Sequence, residues 1–380
     1  MKRNIKLSLP HLSGTEQKYI DEAMRDCWIV PLGPHVDEFE HRLESYLDHD
    51  DVVALSAGTA AIHLGLVMLD VKAGDEVIVQ DLTFSASANP VRYQGAVPVF
   101  VDSEPYTWNM SPELLELAIN DRIKVTGRKP KAIVPVHLYG MPAKMDEIRN
   151  IAEKYDIPVL EDAAEALGSE YKGRKCGTFG QYGALSFNGN KIITTSGGGA
   201  LVCPSPEAAA RVKFYATQSR ENRPYYYHEV IGFNYRLSNI SAAIGCGQIE
   251  SLQARVDRRR AIHRLYSEML EGVDGITVQE NPADDFNSNF WLSTILIDPA
   301  TGITPDQLRI ALMEKGIETR LLWRPMHMMP FFADAPAYTD GTAESLFERG
   351  LCLPSGSSLT DEDIIFVAES IKSFIHDHRV

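Results

Sequence analysis

Val52-Val53-Ala54-Leu55-Ser56-Ala57-Gly58-Thr59 is the stretch that decides the fold. A short apolar strand passes directly into a helix through small residues, as strands of a buried parallel sheet do. The following helix, Ala60 to Leu69, is apolar nearly all round: Ala61, Ile62, Leu64, Leu66, Met68 and Leu69. A helix without a polar face must be buried. Its N-terminus points free N–H groups and the positive end of its dipole at any nearby anion. Gly58 lets the backbone approach closely and Thr59 adds a hydroxyl. The segment reads either as an ordinary helix cap or as an anion cradle.

Working outward, the same rhythm repeats from about residue 50 to 205. Val77-Ile78-Val79 reads as a strand and Ser85 to Gln94 as a helix. Val97 to Val101 is a strand and Pro112 to Ile119 a helix. Ala132 to Val136 is a strand, Met145 to Tyr155 a helix, and Pro158-Val159-Leu160 a strand. Apolar strands alternating with helices predict an α/β fold, a large mostly parallel sheet covered on both faces. The pattern changes after about residue 240. Ser241 to Arg260 reads as one long helix, whose Arg258-Arg259-Arg260 end reads as a solvated face. Trp291 to Ile297 reads as a strand and Pro305 to Lys315 as a helix. We expect a large domain over residues 1–250 and a smaller C-terminal α+β domain over 251–380.

The chain has 380 residues, 44% hydrophobic and 23% charged, the profile of a globular enzyme. A net charge of -15 argues against a nucleic-acid surface. The five cysteines, Cys27, Cys176, Cys203, Cys246 and Cys352, are scattered and form no C-x-x-C pair. They predict neither a metal site nor a disulfide framework, and a reducing cytoplasm fits best. The N-terminus lacks the apolar core of a signal peptide, and no apolar run approaches a membrane span.

Three further segments carry chemistry. In Leu185-Ser186-Phe187-Asn188-Gly189-Asn190-Lys191-Ile192-Ile193-Thr194-Thr195-Ser196-Gly197-Gly198-Gly199, a lone lysine sits on a tight connection between two strands. Lys191 is either a solvated charge or a partly desolvated amine able to form a Schiff base. In Leu160-Glu161-Asp162-Ala163-Ala164-Glu165-Ala166, Asp162 falls just past a strand, at the edge where α/β sheets bind ligands. It is either a helix-capping residue or a carboxylate that keeps a pyridine nitrogen protonated. In Asp81-Leu82-Thr83-Phe84-Ser85-Ala86-Ser87-Ala88-Asn89, Phe84 is either a core residue or a stacking surface for a flat ring. Gly232-Phe233-Asn234-Tyr235-Arg236 adds a polar-aromatic loop. Pyridoxal 5'-phosphate needs an anion site, a ring sandwich, a nitrogen partner and an imine-forming amine, and these segments supply all four.

With those residues in view, the chain resembles the DegT/DnrJ/EryC1/StrS sugar aminotransferases over essentially its whole length. Glu161 to Gly168, Asn188-Gly189-Asn190-Lys191 and Gly232 to Arg236 carry the likeness. Ser186 to Gly199 and Ile317-Glu318-Thr319-Arg320 to Met326-His327 extend it toward transaminases of the bacillosamine pathway, which make UDP-4-amino-4,6-dideoxy-N-acetyl-glucosamine. The resemblance implies a fold-type I pyridoxal-phosphate enzyme. It implies Lys191 as the Schiff-base lysine and proton shuttle, and Asp162 as the pyridine partner. It implies Gly58, Thr59 and Ser186 on the phosphate, Phe84 on one ring face, and Asn188 among the cofactor-binding residues. Asn234 would reach the neighbouring subunit's cofactor in a homodimer. Arg320 and His327 would line the sugar-nucleotide side, with Arg320, Arg324 and Arg220 as candidates for the diphosphate. Glu165 departs from the His or Gln of many relatives, which face the cofactor's 3-hydroxyl. Lys191 also stands where the dehydrase branch carries His, which favours transamination.

The implied reaction moves an amino group from L-glutamate to C4 of a nucleotide-linked 4-keto-6-deoxy sugar, UDP-2-acetamido-2,6-dideoxy-hexos-4-ulose first. A GDP-4-keto-6-deoxymannose aminotransferase of the perosamine type is the alternative. A non-catalytic cofactor-binding regulator and a plain sugar-nucleotide binding protein are the rivals from other classes.

Overall fold

The structure, a computed structural model, describes residues 3–378. A large sheet is assembled from two four-stranded halves. One half has the order Val52–Leu55, Gly199–Val202, Tyr182–Ser186, Leu160–Asp162. The other has the order Ala337–Tyr338, Val97–Val101, Glu76–Gln80, Ala132–Val134. Parallel bridges Ile133–Val159 and Val136–Asp162 join them. Gly199–Val202 runs against both of its neighbours, and the other paired strands are parallel. The expected mostly parallel sheet is therefore present, with one reversed strand.

The helix Gly58–Met68 is buried along nearly its whole length, as its apolar composition requires. Gly65 lies so close to the sheet that a Cβ there would stand 2.7 Å from Leu160 Cδ1. The helix expected over Ser85 to Gln94 is instead a 3₁₀ turn, Ser85–Ser87, and a short helix, Asn89–Tyr93. Pro90 lies in its first turn and lacks the N–H that would continue a helix from before it. The strand expected over Pro158 to Leu160 is shifted to Leu160–Asp162, so Asp162 ends the strand rather than following it.

A second, antiparallel sheet has the order Ile276–Val278, Ser293–Ile297, Gly350–Leu353, Arg320–Leu321. Helices Leu252–Leu270, Pro305–Glu314 and Asp361–His378 share its apolar core. A capping box between Thr304 and Gln307 starts the middle helix. Two segments cross between the sheets. Ile5 bridges Ile317 of the small sheet's edge, and Ala337–Tyr338 returns to the large one.

Two expectations fail here. The long helix over Ser241 to Arg260 is two helices, Asn239–Ile249 and Leu252–Leu270. At the junction the Ser251 hydroxyl and N–H both bond the Gln248 carbonyl, which diverts that acceptor from a continuous ladder. Nor is Arg258-Arg259-Arg260 a solvated face. Arg259 is fully buried, with its guanidinium on the Trp291 carbonyl and, at 2.9 Å, on Ser8 Oγ.

Candidate active site

The parallel strands end on one edge of the large sheet, and the connections there line a cleft of about 490 Å³. Ser56 to Thr59 follow the first strand, Thr83 and Phe84 the second, and Asp162 and Ser186 end two others. Residues 6–9, Glu318, Arg320, Leu321 and Trp323 close it from the small-sheet side.

One wall is the N-terminus of the helix Gly58–Met68. Ala57 occupies the N-cap position of Gly58–Met68 and offers no side-chain acceptor. The first-turn N–H groups therefore have no capping oxygen of their own. Backbones approach closely here. A Cβ on Gly58 would lie 2.9 Å from Ser186 Cβ, and one on Gly199 would lie 2.5 Å from the Ala57 carbonyl carbon and the Gly58 nitrogen.

The floor carries three ionisable groups. Asp162 is buried and accepts from Ser87 Oγ at 2.6 Å and from the Ala164 N–H at 3.1 Å. Burial pushes its carboxyl up, and those two donors with Lys191 and His137 pull it back. Lys191 Nζ lies 3.2 Å from Glu165 Oε1 and 4.1 Å from the centre of the Trp291 ring. Glu165 Oε2 accepts from the Tyr139 N–H at 2.7 Å. Burial pushes Glu165 up to about 7 despite the pull of Lys191. Behind the floor, buried His137 donates to Glu161 Oε2 at 2.8 Å, while its other ring nitrogen accepts from the Ala143 N–H at 3.0 Å. Glu161 also accepts from the Gly177 and Gly180 N–H groups. That network ties the strand Leu160–Asp162 to the segment around His137 and to the turn at Gly177 and Gly180.

Phe84 stands at the cleft with 54% of its surface exposed, so it is not a core residue. Its ring faces Trp323 at 5.5 Å, and Trp323 in turn faces Tyr139 at 5.0 Å. Tyr139 holds a left-handed φ of 54°, a strained conformation for a non-glycine residue at a site wall. At the mouth, Glu318 lies between Lys6 at 3.9 Å and Arg320 at 3.3 Å, with all three side chains substantially exposed.

The fold thus gathers Gly58, Thr59, Phe84, Asp162, Glu165, Ser186, Asn188, Lys191 and Arg320 around one cleft. Asn234 and His327 are not among its lining residues. Asn234 is exposed, bridged to Thr217, on a loop that Arg236 pins to the Glu40 carboxylate and the Ala54 carbonyl. His327 is held by Asp81, at 2.6 Å from Nδ1, and by Glu344, at 3.2 Å from Nε2. Arg324 is exposed, and Arg220 lies over the Tyr226 ring. Sequence reasoning missed Ser87, Tyr139, Trp291, Trp323 and Lys6. Ser87 lay within the segment read for Phe84. Trp291 read only as the start of a strand.

The match to the family model for DegT/DnrJ/EryC1/StrS aminotransferases spans residues 10–372. The chain belongs to that family. It is 48% identical to EpsN of Bacillus subtilis (strain 168), over 100% of this chain and 98% of EpsN. It is 38% identical to a GDP-perosamine synthase of Escherichia coli O157:H7, over 97% and 98% of the two chains. Among solved structures, the PLP-form of Spr1654 from Streptococcus pneumoniae superposes with a TM-score of 0.91 at 26% identity, covering 100% of both chains. The protein is a pyridoxal-phosphate-dependent sugar aminotransferase. The residues present fit the cofactor: a close-packed helix N-terminus for its phosphate, a buried carboxylate for its ring nitrogen, and a lysine in the same cleft. Among the described residues, no helix is long and apolar enough to cross a membrane.

Proposed function

We propose that this aminotransferase carries an amino group from L-glutamate to C4 of a nucleotide-linked 4-keto-6-deoxy sugar. UDP-2-acetamido-2,6-dideoxy-hexos-4-ulose is the first candidate acceptor. GDP-4-keto-6-deoxymannose is the second, favoured by the identity to the GDP-perosamine synthase. The observation that carries the reading is the meeting of Lys191, Asp162 and the Gly58 helix end in one cleft.

When bound, pyridoxal phosphate supplies the aldehyde that takes up the amino group and the ring that draws electrons from the bond to be broken. The chain's own residues do the rest. Gly58, Thr59 and Ser186 hold the phosphate, with Asn188 beside them. Asp162 keeps the ring nitrogen protonated. Phe84 covers one ring face. Lys191 moves a proton between the carbon that bears nitrogen in the substrate and the one that bears it in the cofactor. Lys6 and Arg320 attract the diphosphate at the mouth.

We read the working unit as a homodimer. Trp28, Ile29, Val30 and Leu32 are exposed, and so are Tyr225, Tyr226 and Ile231. These apolar strips flank the segment that carries Asn234, and exposed patches of this kind mark protein contacts. Asn234, outside its own cleft, is then free to serve the partner's. We take residues 1–250 as the cofactor domain and 251–380 as the small domain, a division supported by the helix break at Ser251. The five cysteines are free, which suits the cytoplasm.

The deciding experiment supplies L-glutamate with a panel of 4-keto nucleotide sugars and reads 2-oxoglutarate release and product mass. The expected result is an aminated UDP-linked 2-acetamido sugar. Exclusive conversion of the GDP sugar would select the second acceptor, and an unchanged cofactor spectrum with glutamate alone would remove the enzymatic reading.

A further inference from the structure

Lys191 does not project freely into the cleft. Its ammonium is caught between a carboxylate and an aromatic face, 3.2 Å from Glu165 Oε1 and 4.1 Å from the Trp291 ring centre. Both partners are fixed from behind. Glu165 is held through its other oxygen by the Tyr139 N–H at 2.7 Å. Trp291 donates its ring N–H to the Asn190 carbonyl at 2.7 Å, and its own carbonyl is bound by buried Arg259. Glu165 and Trp291 thus fix the ammonium from two sides.

We propose that Glu165 is the base that receives the Lys191 proton, with Trp291 keeping the amine in range. This rests on Lys191 being the cofactor's lysine. In the step, an N–H bond of the ammonium breaks and an O–H bond forms on Glu165, with no change of oxidation state. The lone pair left on Nζ can then condense with an aldehyde, whose oxygen leaves as water with the two remaining amine hydrogens.

Charge counting favours this arrangement. With Asp162 and Glu165 both ionised, two buried carboxylates share one ammonium, and that ammonium is consumed when the amine condenses. Once Glu165 holds the proton, Asp162 is the single anion left for the ring nitrogen. Four other groups face Glu165: Lys191, Asp162, Tyr139 and Cys352. Burial pushes the Tyr139 hydroxyl well above its ordinary value and the Cys352 thiol up to about 12, so neither exchanges a proton in the neutral range. Asp162 is occupied by Ser87 and Ala164. Glu165, pushed up to about 7, is the acceptor within reach.

The test follows the uptake of pyridoxal phosphate by full-length, cofactor-stripped protein, by absorbance, from about pH 5.5 to about pH 9. In the native protein the condensation rate should rise as Glu165 ionises near neutrality. Glu165→Gln keeps the size and can still accept from Tyr139. It should lose that rise and condense about tenfold more slowly, or worse, at neutral pH. Glu165→Gln condensing as fast as the native protein, or faster, with the same profile overturns the proposal. Glu165→Asp covers the case in which Gln disturbs folding, checked by thermal melting. It should keep the rise with a displaced midpoint, and a profile identical to the native one counts against the idea. Borohydride reduction and peptide mapping separate the two levels. A tag on another lysine removes the aminotransferase site itself. A tag on Lys191 with unaltered profiles removes only the role of Glu165.

Discussion

The two sides of the cleft are built to different tolerances. On the large-sheet side, the charges are buried and each has a fixed partner: Asp162 with Ser87, Lys191 with Glu165, Glu161 with His137. Backbones there pack so closely that a Cβ on Gly58 or Gly199 would force its neighbours to shift. On the small-sheet side, Lys6 and Arg320 keep 43% and 65% of their side chains exposed, and Glu318 is loosely shared between them. Buried paired charges define a geometry, whereas exposed ones contribute little individually and are screened by salt. On the proposed reading, the shared chemistry falls to the rigid side and the choice of sugar nucleotide to the pliable one.

The contrast breaks most sharply at Lys191. Lys191→Ala should lower kcat about 1,000-fold or more and abolish covalent retention of the cofactor, read by steady-state rates and the absorbance spectrum. Asp162→Asn preserves shape and the Ser87 contact but loses the charge. It should cost on the order of 100-fold in kcat with the cofactor still bound, measured by half-reaction kinetics with glutamate. Gly58→Ala pushes a methyl toward Ser186 and should weaken cofactor binding about tenfold, by equilibrium titration, with chemistry in the saturated enzyme less affected. On the other side, Arg320→Ala or Lys6→Ala should raise KM for the nucleotide sugar about two- to fivefold at low salt, with less effect at high salt. A loss in kcat at either mouth residue as large as at Asp162 would erase the distinction between the sides.

What could be read from sequence follows the same division. Val52 to Leu55, the buried helix and Asp162 were legible because each is a local pattern: an apolar run, an apolar helix, a carboxylate at a strand end. Glu165 was visible as a departure, but the Trp291 ring that shares Lys191 with it was not. Trp291 lies 100 positions from Lys191 in the chain, and only the packing of the small sheet brings its ring under the amine. Lys6 arrives through the pairing of Ile5 with Ile317, which no periodicity announces. Arg259 was misread because a run of arginines gives no sign that one of them points inward. At the helix break, the Ser251 hydroxyl and N–H share the Gln248 carbonyl, a local detail below the resolution of hydrophobic patterning.

The reversed strand Gly199–Val202 has a kinetic consequence. It pairs with Tyr182–Ser186 as a hairpin, and the lysine loop is drawn together at its base by Phe187 bonding Gly198 and Thr195. The loop closure that places Lys191 therefore spans few residues, while Thr59 and Asp162 must be delivered to it by distant crossovers. Local closures cost less entropy and form sooner than long-range pairings. During folding, the amine should take up its shape before the pocket around it exists.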